Sequence, residues 1–217
     1  MKRLTMTLAF AAIFIISAHG QGFLNLNFES AQNLPGNPGP DGALVSITDA
    51  LPDWTAYSGP NILSDIYYVS NSLGRAQDVE LEGGSLAVSG NFSVGLYNGG
   101  SISQTGLVPE DAESLQFEAF VPLAAGFSVT LDGQKLSYSV LSESSGYDVY
   151  GADIPADLDG QTEASTFGCQ GVGSGGVLLD NIEFSSMSVP EPSQFALVGL
   201  VALLLGLRHL RREIIES

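Results

Sequence analysis

The chain has 217 residues, with 24 acidic and seven basic side chains, a formal net charge of −17, two histidines and one cysteine. That charge disfavours nucleic acid and anionic lipid as ligands, and the lone Cys169 excludes an intramolecular disulfide. His19 and His209 lie near the two ends, so the middle of the chain can build neither a Ser-His-Asp or Cys-His arrangement nor a histidine-rich zinc site.

At the N-terminus, Met1-Lys2-Arg3 and the apolar run 4–16 form a basic segment followed by a hydrophobic one, and Ala18 and Gly20 are the small residues a signal peptidase reads. Residues 1–20 are therefore expected to be a signal peptide cleaved after Gly20. Residues 21–188 then form one exported domain, long enough for a sizeable core. Glu191, Glu213 and Glu216 are the acidic residues outside this segment, whereas Arg75 and Lys135 are its whole basic content, so its charge is near −19. Such a field favours solubility and divalent cations.

Residues 22–28, GFLNLNF, alternate apolar and polar side chains and predict a first, half-buried strand. Residues 33–42, NLPGNPGPDG, must be a loop, and a second irregular stretch leads to Leu51-Pro52-Asp53-Trp54. Further strands are predicted over 62–69, 85–88, 92–97, 101–105 and 114–121, separated by glycine-rich turns. Phe127, Val129 and Leu131, then Asp132-Gly133, then Leu136, Tyr138 and Val140 predict a hairpin, because Asp-Gly supplies the positive φ values of a type I′ turn. Residues 147–154, 161–167 and 176–184 supply three more strands, and residues 21–188 show no sustained helical period. Many short strands with glycine-rich turns predict an all-β fold, an antiparallel jelly-roll β-sandwich.

Chemical signals in this segment are sparse. Cys169 is expected as a small buried apolar residue, and the glycine-rich 168–176 as a loop between strands rather than a phosphate cradle. Asp157, Asp159 and Glu163 have the spacing of half a calcium loop, and Asn91-Phe92-Ser93 reads as a turn entering a strand. Trp54, Tyr57, Tyr67, Tyr68 and Tyr97 are the candidate carbohydrate-binding residues, since a sugar ring stacks its apolar face on an aromatic plane. Core packing accounts for the lone Trp54 equally well.

The C-terminal segment 189–217 opens on Val189-Pro190-Glu191-Pro192, continues through an apolar run over 195–207, and ends in the basic cluster Arg208, Arg211 and Arg212. Two prolines prevent a helix from starting before Ser193, a good N-cap. The apolar run spans ~20 Å as a helix against a hydrocarbon layer of ~30 Å, so the transmembrane helix needs its flanks and snorkelling arginines to cross, with the arginine end cytoplasmic. These three elements in this order resemble the PEP-CTERM sorting signal of Gram-negative bacteria. The resemblance implies processing by an exosortase, a membrane-embedded transpeptidase, with Glu191 in the recognition motif rather than in catalysis. It also implies passage across the inner membrane, anchoring there, and final residence at the cell surface or in the extracellular matrix.

A second resemblance lies at the two ends of the exported domain. FLNLNFES over 23–30, Leu51-Pro52-Asp53-Trp54-Thr55 and the closing Leu179-Asp180-Asn181-Ile182-Glu183-Phe184 are similar to galactose-binding-like jelly rolls, including carbohydrate-binding modules. It implies first and last strands lying side by side and one shared structural calcium, with Glu29 and Asp180 as metal ligands. The resulting expectation is a non-enzymatic exported protein of the surface or matrix that binds exopolysaccharide. The alternative is a secreted glycan hydrolase that uses paired carboxylates.

Overall fold

The computed structural model describes residues 22–70, 78–122, 126–170 and 176–190. The predicted signal peptide and transmembrane helix lie outside these residues, and no helix among the described residues is long and apolar enough to cross a membrane. In chain order the strands are β1 (Ala43–Ser46), β2 (Thr55–Ser58), β3 (Asn61–Ile62), β4 (Asp65–Val69), β5 (Val79–Gly83), β6 (Phe92–Leu96), β7 (Gly100–Leu107), β8 (Ser114–Phe120), β9 (Phe127–Leu131), β10 (Gln134–Leu136), β11 (Tyr138–Glu143), β12 (Asp148–Asp153), β13 (Thr162–Cys169) and β14 (Val177–Ser185). They form an eight-stranded sheet in the order β1-β4-β5-β6-β14-β8-β12-β11 and a six-stranded sheet in the order β10-β9-β13-β7-β2-β3. All pairs are antiparallel except β4 with β5. From β6 to β14 every connection except the hairpins β9/β10 and β11/β12 carries the chain from one sheet to the other. The result is an all-β sandwich of two sheets.

Alternation along the strands explains which face is inside. In β8, Leu115, Phe117 and Ala119 are buried in the core, whereas the intervening Gln116 and Glu118 turn the other way. Phe117 packs its ring against Phe127, Tyr138, Tyr150 and Phe167, with centroids 5.5–5.9 Å apart. Trp54 extends this cluster to Phe167 and Phe28 and donates its indole N–H to the Asn25 carbonyl. Burying each such ring contributes about 1.5–3 kcal/mol, so these contacts are the centre of the sandwich.

Four features depart from the sequence pattern. The predicted strand 22–28 is a looped segment: Gly22 bridges Leu107, but Asn25 and Phe28 have φ of 48° and 57°. Its backbone is satisfied by a mixture of side chains and isolated main-chain bonds instead of a ladder. The Gln104 amide accepts from Leu24 N at 2.6 Å and donates to Leu24 O at 3.0 Å, and Asn25 Oδ1 accepts from Ser30 N. The predicted strand 85–88 is replaced by a short 3₁₀ turn, Gly84–Leu86, and the true strand β5 precedes it. Strands β1 and β2 arise where irregular chain was expected, and one helical turn, α1 (Ile47–Ala50), is capped by Ser46, whose hydroxyl accepts from Asp49 N. The hairpin turn is as expected, with φ of 50° at Asp132 and 68° at Gly133, but its second arm stops at Leu136. Tyr138 instead begins β11 in the other sheet, where it pairs with Ala152 and packs against the core.

Candidate functional site

The looped N-terminal segment lies along β14: Ile182 N donates to Leu26 O at 2.9 Å, and Phe23 stacks on Phe184 at 4.9 Å. Glu29 closes this segment and Asp180 lies midway along β14; both reach the same loop, residues 89–92. Glu29 accepts from Asn91 N at 2.6 Å, Asn91 Nδ2 at 2.9 Å and Phe92 N at 3.0 Å. Asp180 accepts from Ser89 N at 3.1 Å and from Asn181 N at 2.7 Å. Between these contacts Gly90 adopts φ 57°, and a Cβ there would run into the Glu29 carboxylate. A glycine is required on both counts.

The two carboxyls are tuned in opposite directions. Burial pushes Glu29 up, but the Asn91 and Phe92 hydrogen bonds outweigh it and hold the group below its usual value. Asp180, only 1 % exposed, is pushed up to about 7: burial is the main cause, the Asn181 and Ser89 N–H groups oppose it, and the charges of Glu118 and Glu29 add to it. Asp180 therefore feels two further carboxylates here, and oxygen donors with concentrated negative charge are the chemistry a hard cation takes. The geometry is less complete than the charge. Glu29 and Asp180 already spend oxygens on main-chain N–H groups, and the described residues hold no group of three or more His, Cys, Asp or Glu able to close around a metal ion.

Beside this cluster the β14 ladder is interrupted. Asp180 pairs with Glu118 and Glu183 with Gln116, so Asn181 and Ile182 together face Phe117. This is a β-bulge, and Asn181 enters the left-handed region at φ 42°. Its amide donates to Glu118 Oε2 at 3.0 Å. The bulge opens a groove of about 400 Å³ on the outer face of the eight-stranded sheet, lined by Gln116, Glu118, Asn181, Glu183, Leu26 and Val149 among others.

A second acidic feature lies on β5. Val79 and Leu81 enter the core, which turns Glu80 and Glu82 to the outer face, yet both glutamates are fully buried. Tyr97 donates its hydroxyl to Glu82 Oε1 at 2.8 Å, and its ring lies over Gly95 and Gly176, where any side chain would collide with it. Burial pushes Glu82 up to about 7, opposed by the Tyr97 hydrogen bond and assisted by the charge and hydrogen bonding of Glu80. The signal for this pair was present in the alternation of Val79-Glu80-Leu81-Glu82, but glutamate on a solvent-averse strand face runs against composition rules.

The five aromatic candidates are not gathered into one platform. Trp54 is 5 % exposed and belongs to the core, which removes it from any sugar-stacking surface. Tyr68, on β4, packs against the core and Phe92. Tyr57, next to the buried Ala56, lies on the six-stranded sheet, while Tyr67 lies on β4 of the other sheet, beside Glu80 in the ladder. Tyr97 serves Glu82. Cys169 is buried at the end of β13. Asp157 and Asp159 flank Leu158 in a 3₁₀ turn, and Glu163 faces Asp132 of the hairpin rather than joining them.

At the other end of the domain, Val189 N donates to Asp153 Oδ1 at 2.7 Å and the valine side chain packs over Gly151. Pro190 is exposed, and Glu191, Pro192, Arg208, Arg211 and Arg212 lie outside the described residues. No family model, curated protein or solved structure matches the chain.

Proposed function

We propose that this is an exported, non-enzymatic protein of the Gram-negative surface or matrix, whose jelly-roll domain is delivered by a PEP-CTERM tail and binds exopolysaccharide. The observation that carries the reading is the order of Val189-Pro190-Glu191-Pro192, an apolar run and Arg208, Arg211 and Arg212 directly after a folded domain. The Asp153 contact at Val189 supports it, since it holds the residue just before the Pro-Glu-Pro motif against the folded domain. A protease-like transpeptidase needs an extended, unpacked segment, and two prolines keep one available.

Within this reading a structural calcium sits at the Glu29 and Asp180 end, where it offsets the mutual repulsion of Glu29, Asp180 and Glu118. The expected ligands beyond Glu29 and Asp180 are backbone carbonyls and water. Sorting is tested by following the tail of the full chain in cells with and without an exosortase. Processing that requires the enzyme and is lost in Glu191→Ala is the expected outcome; a tail that matures identically in all cases overturns it. Glycan binding is tested separately, by calorimetry of the full chain in mild detergent against neutral soluble polysaccharides. Binding without release of reducing ends supports the reading, and release of reducing ends would replace it with a hydrolase.

A further inference from the structure

The groove beside the β14 bulge has the size, the polarity and the charge of a selective ligand site. Its volume of about 400 Å³ falls in the ~300–1,000 Å³ range of small-ligand pockets. Two amide side chains, Gln116 and Asn181, offer both donors and acceptors, as ring hydroxyls require, and Leu26 and Val149 offer apolar wall for the C–H edges of a ring. Aromatic stacking is not the source of recognition here, because Phe117 beneath the groove is buried in the core.

Charge narrows the ligand further. Glu118 and Glu183 both line the groove, and Asp180 lies beside Glu118 in the ladder, close enough that the two charges act on one another. No lysine or arginine among the described residues lines it. An anionic sugar such as a uronate is repelled by the Glu118 and Glu183 carboxylates that line the groove, while an ammonium gains a charge-assisted hydrogen bond. The Asn181 amide holds Glu118 in place through one oxygen, and the carboxylate keeps acceptor capacity for a second donor.

We propose that this groove holds an amino sugar of a glycan, with its ammonium against Glu118 and Glu183 and its hydroxyls against Gln116 and Asn181. The proposal deepens the glycan-binding reading above and rests on it. It names a cationic sugar where composition alone points to sugars in general, and it moves the site away from the tyrosines.

The test uses the full chain in mild detergent and three probes: a glucosamine tetramer at a pH where its amines are charged, its fully N-acetylated counterpart, and a galacturonic acid tetramer. The glucosamine tetramer is expected to bind about tenfold more tightly than the acetylated one, as one charged hydrogen bond allows, and to weaken as salt rises. Glu118→Gln, whose side-chain oxygen still accepts from Asn181, is expected to abolish that preference with an unchanged melting temperature. Gln116→Ala is expected to weaken all amino-sugar binding and serves as the second variant. Equal or tighter binding of the galacturonate overturns the proposal. Amino-sugar preference that survives Glu118→Gln and Glu183→Gln together overturns the groove as its site but leaves glycan binding standing. Binding of neutral polysaccharide with no binding of the glucosamine tetramer does the same, whereas failure of every sugar removes the glycan reading as well.

Discussion

The two faces of the eight-stranded sheet obey different rules. Its inner face is a close-packed layer in which Phe117 alone meets four other rings. Its outer face carries Glu80, Glu82 and Asp180, all buried, with Glu118 beside them. The inner face stabilises the fold through area removed from water. The outer face holds acids at a cost, because a buried carboxylate is stable only when hydrogen bonds, a proton or a cation answers its charge. A stable sandwich alone does not call for that second arrangement, and the proposed binding site is placed on the outer face for that reason.

The contrast is sharpest at Phe117. Phe117→Ala removes a ring from the centre of the aromatic cluster and is expected to cost about 3–5 kcal/mol, measured by denaturant unfolding. A loss below about 1 kcal/mol would show that the inner face is not the main source of stability. On the outer side Gly90→Ala puts a methyl group against the Glu29 carboxylate at a positive φ, and is expected to cost about 1–3 kcal/mol by the same measurement.

Proton linkage gives the outer face a signature that the inner face lacks. Asp180 and Glu82 rise from 3.8 and 4.5 to about 7 in the folded domain, so the folded state holds their protons more tightly than the unfolded one. Their contribution to stability is complete below those unfolded values and is lost as pH rises through about 7. The melting temperature without divalent ions is expected to be higher at pH 5 than at pH 8, and Asp180→Asn is expected to flatten the difference. A profile that rises with pH over this window would contradict the burial assigned to both groups. Glu29 works in the opposite sense, with stability present above its unfolded value and lost only in stronger acid.

Calcium sharpens the same comparison at constant pH. Added calcium is expected to raise the melting temperature at pH 8 and to have a smaller effect in Glu29→Gln, while Phe117 variants keep the full increment; no shift in the native chain removes the ion from the proposal. The smallest effect is expected at the exit of the domain. Asp153→Ala frees Val189 N and is expected to cost about 1 kcal/mol or less, with faster amide exchange confined to the last described residues.

Much of the sandwich could be read from period and turn chemistry. Asp132-Gly133 dictates its own turn, and Phe127, Val129 and Leu131 need one buried face wherever they sit. Leu24, Leu26 and Phe28 show where this stops: they alternate like a strand, but Leu24 is held by the Gln104 amide, Leu26 O by Ile182 N and Phe28 N by the Asn25 carbonyl, and period carries no information about such partners. The site divides in the same way. Glu29 and Asp180 are recognisable in short end motifs, whereas Gln116, Glu118 and the bulge at Asn181 are invisible until β8 and β14 are paired.

Local properties of the chain thus determined the strand-rich character, the acidity of residues 21–188 and the order of the Pro-Glu-Pro, apolar and arginine elements after them, since each depends on residues close in sequence. Tertiary structure alone decided that Trp54 is core, that Glu80 and Glu82 are buried, and that one extra β14 residue opens a groove over Phe117. Burial and register are relations between distant segments, and a carboxylate's charge state depends on which of those segments surrounds it.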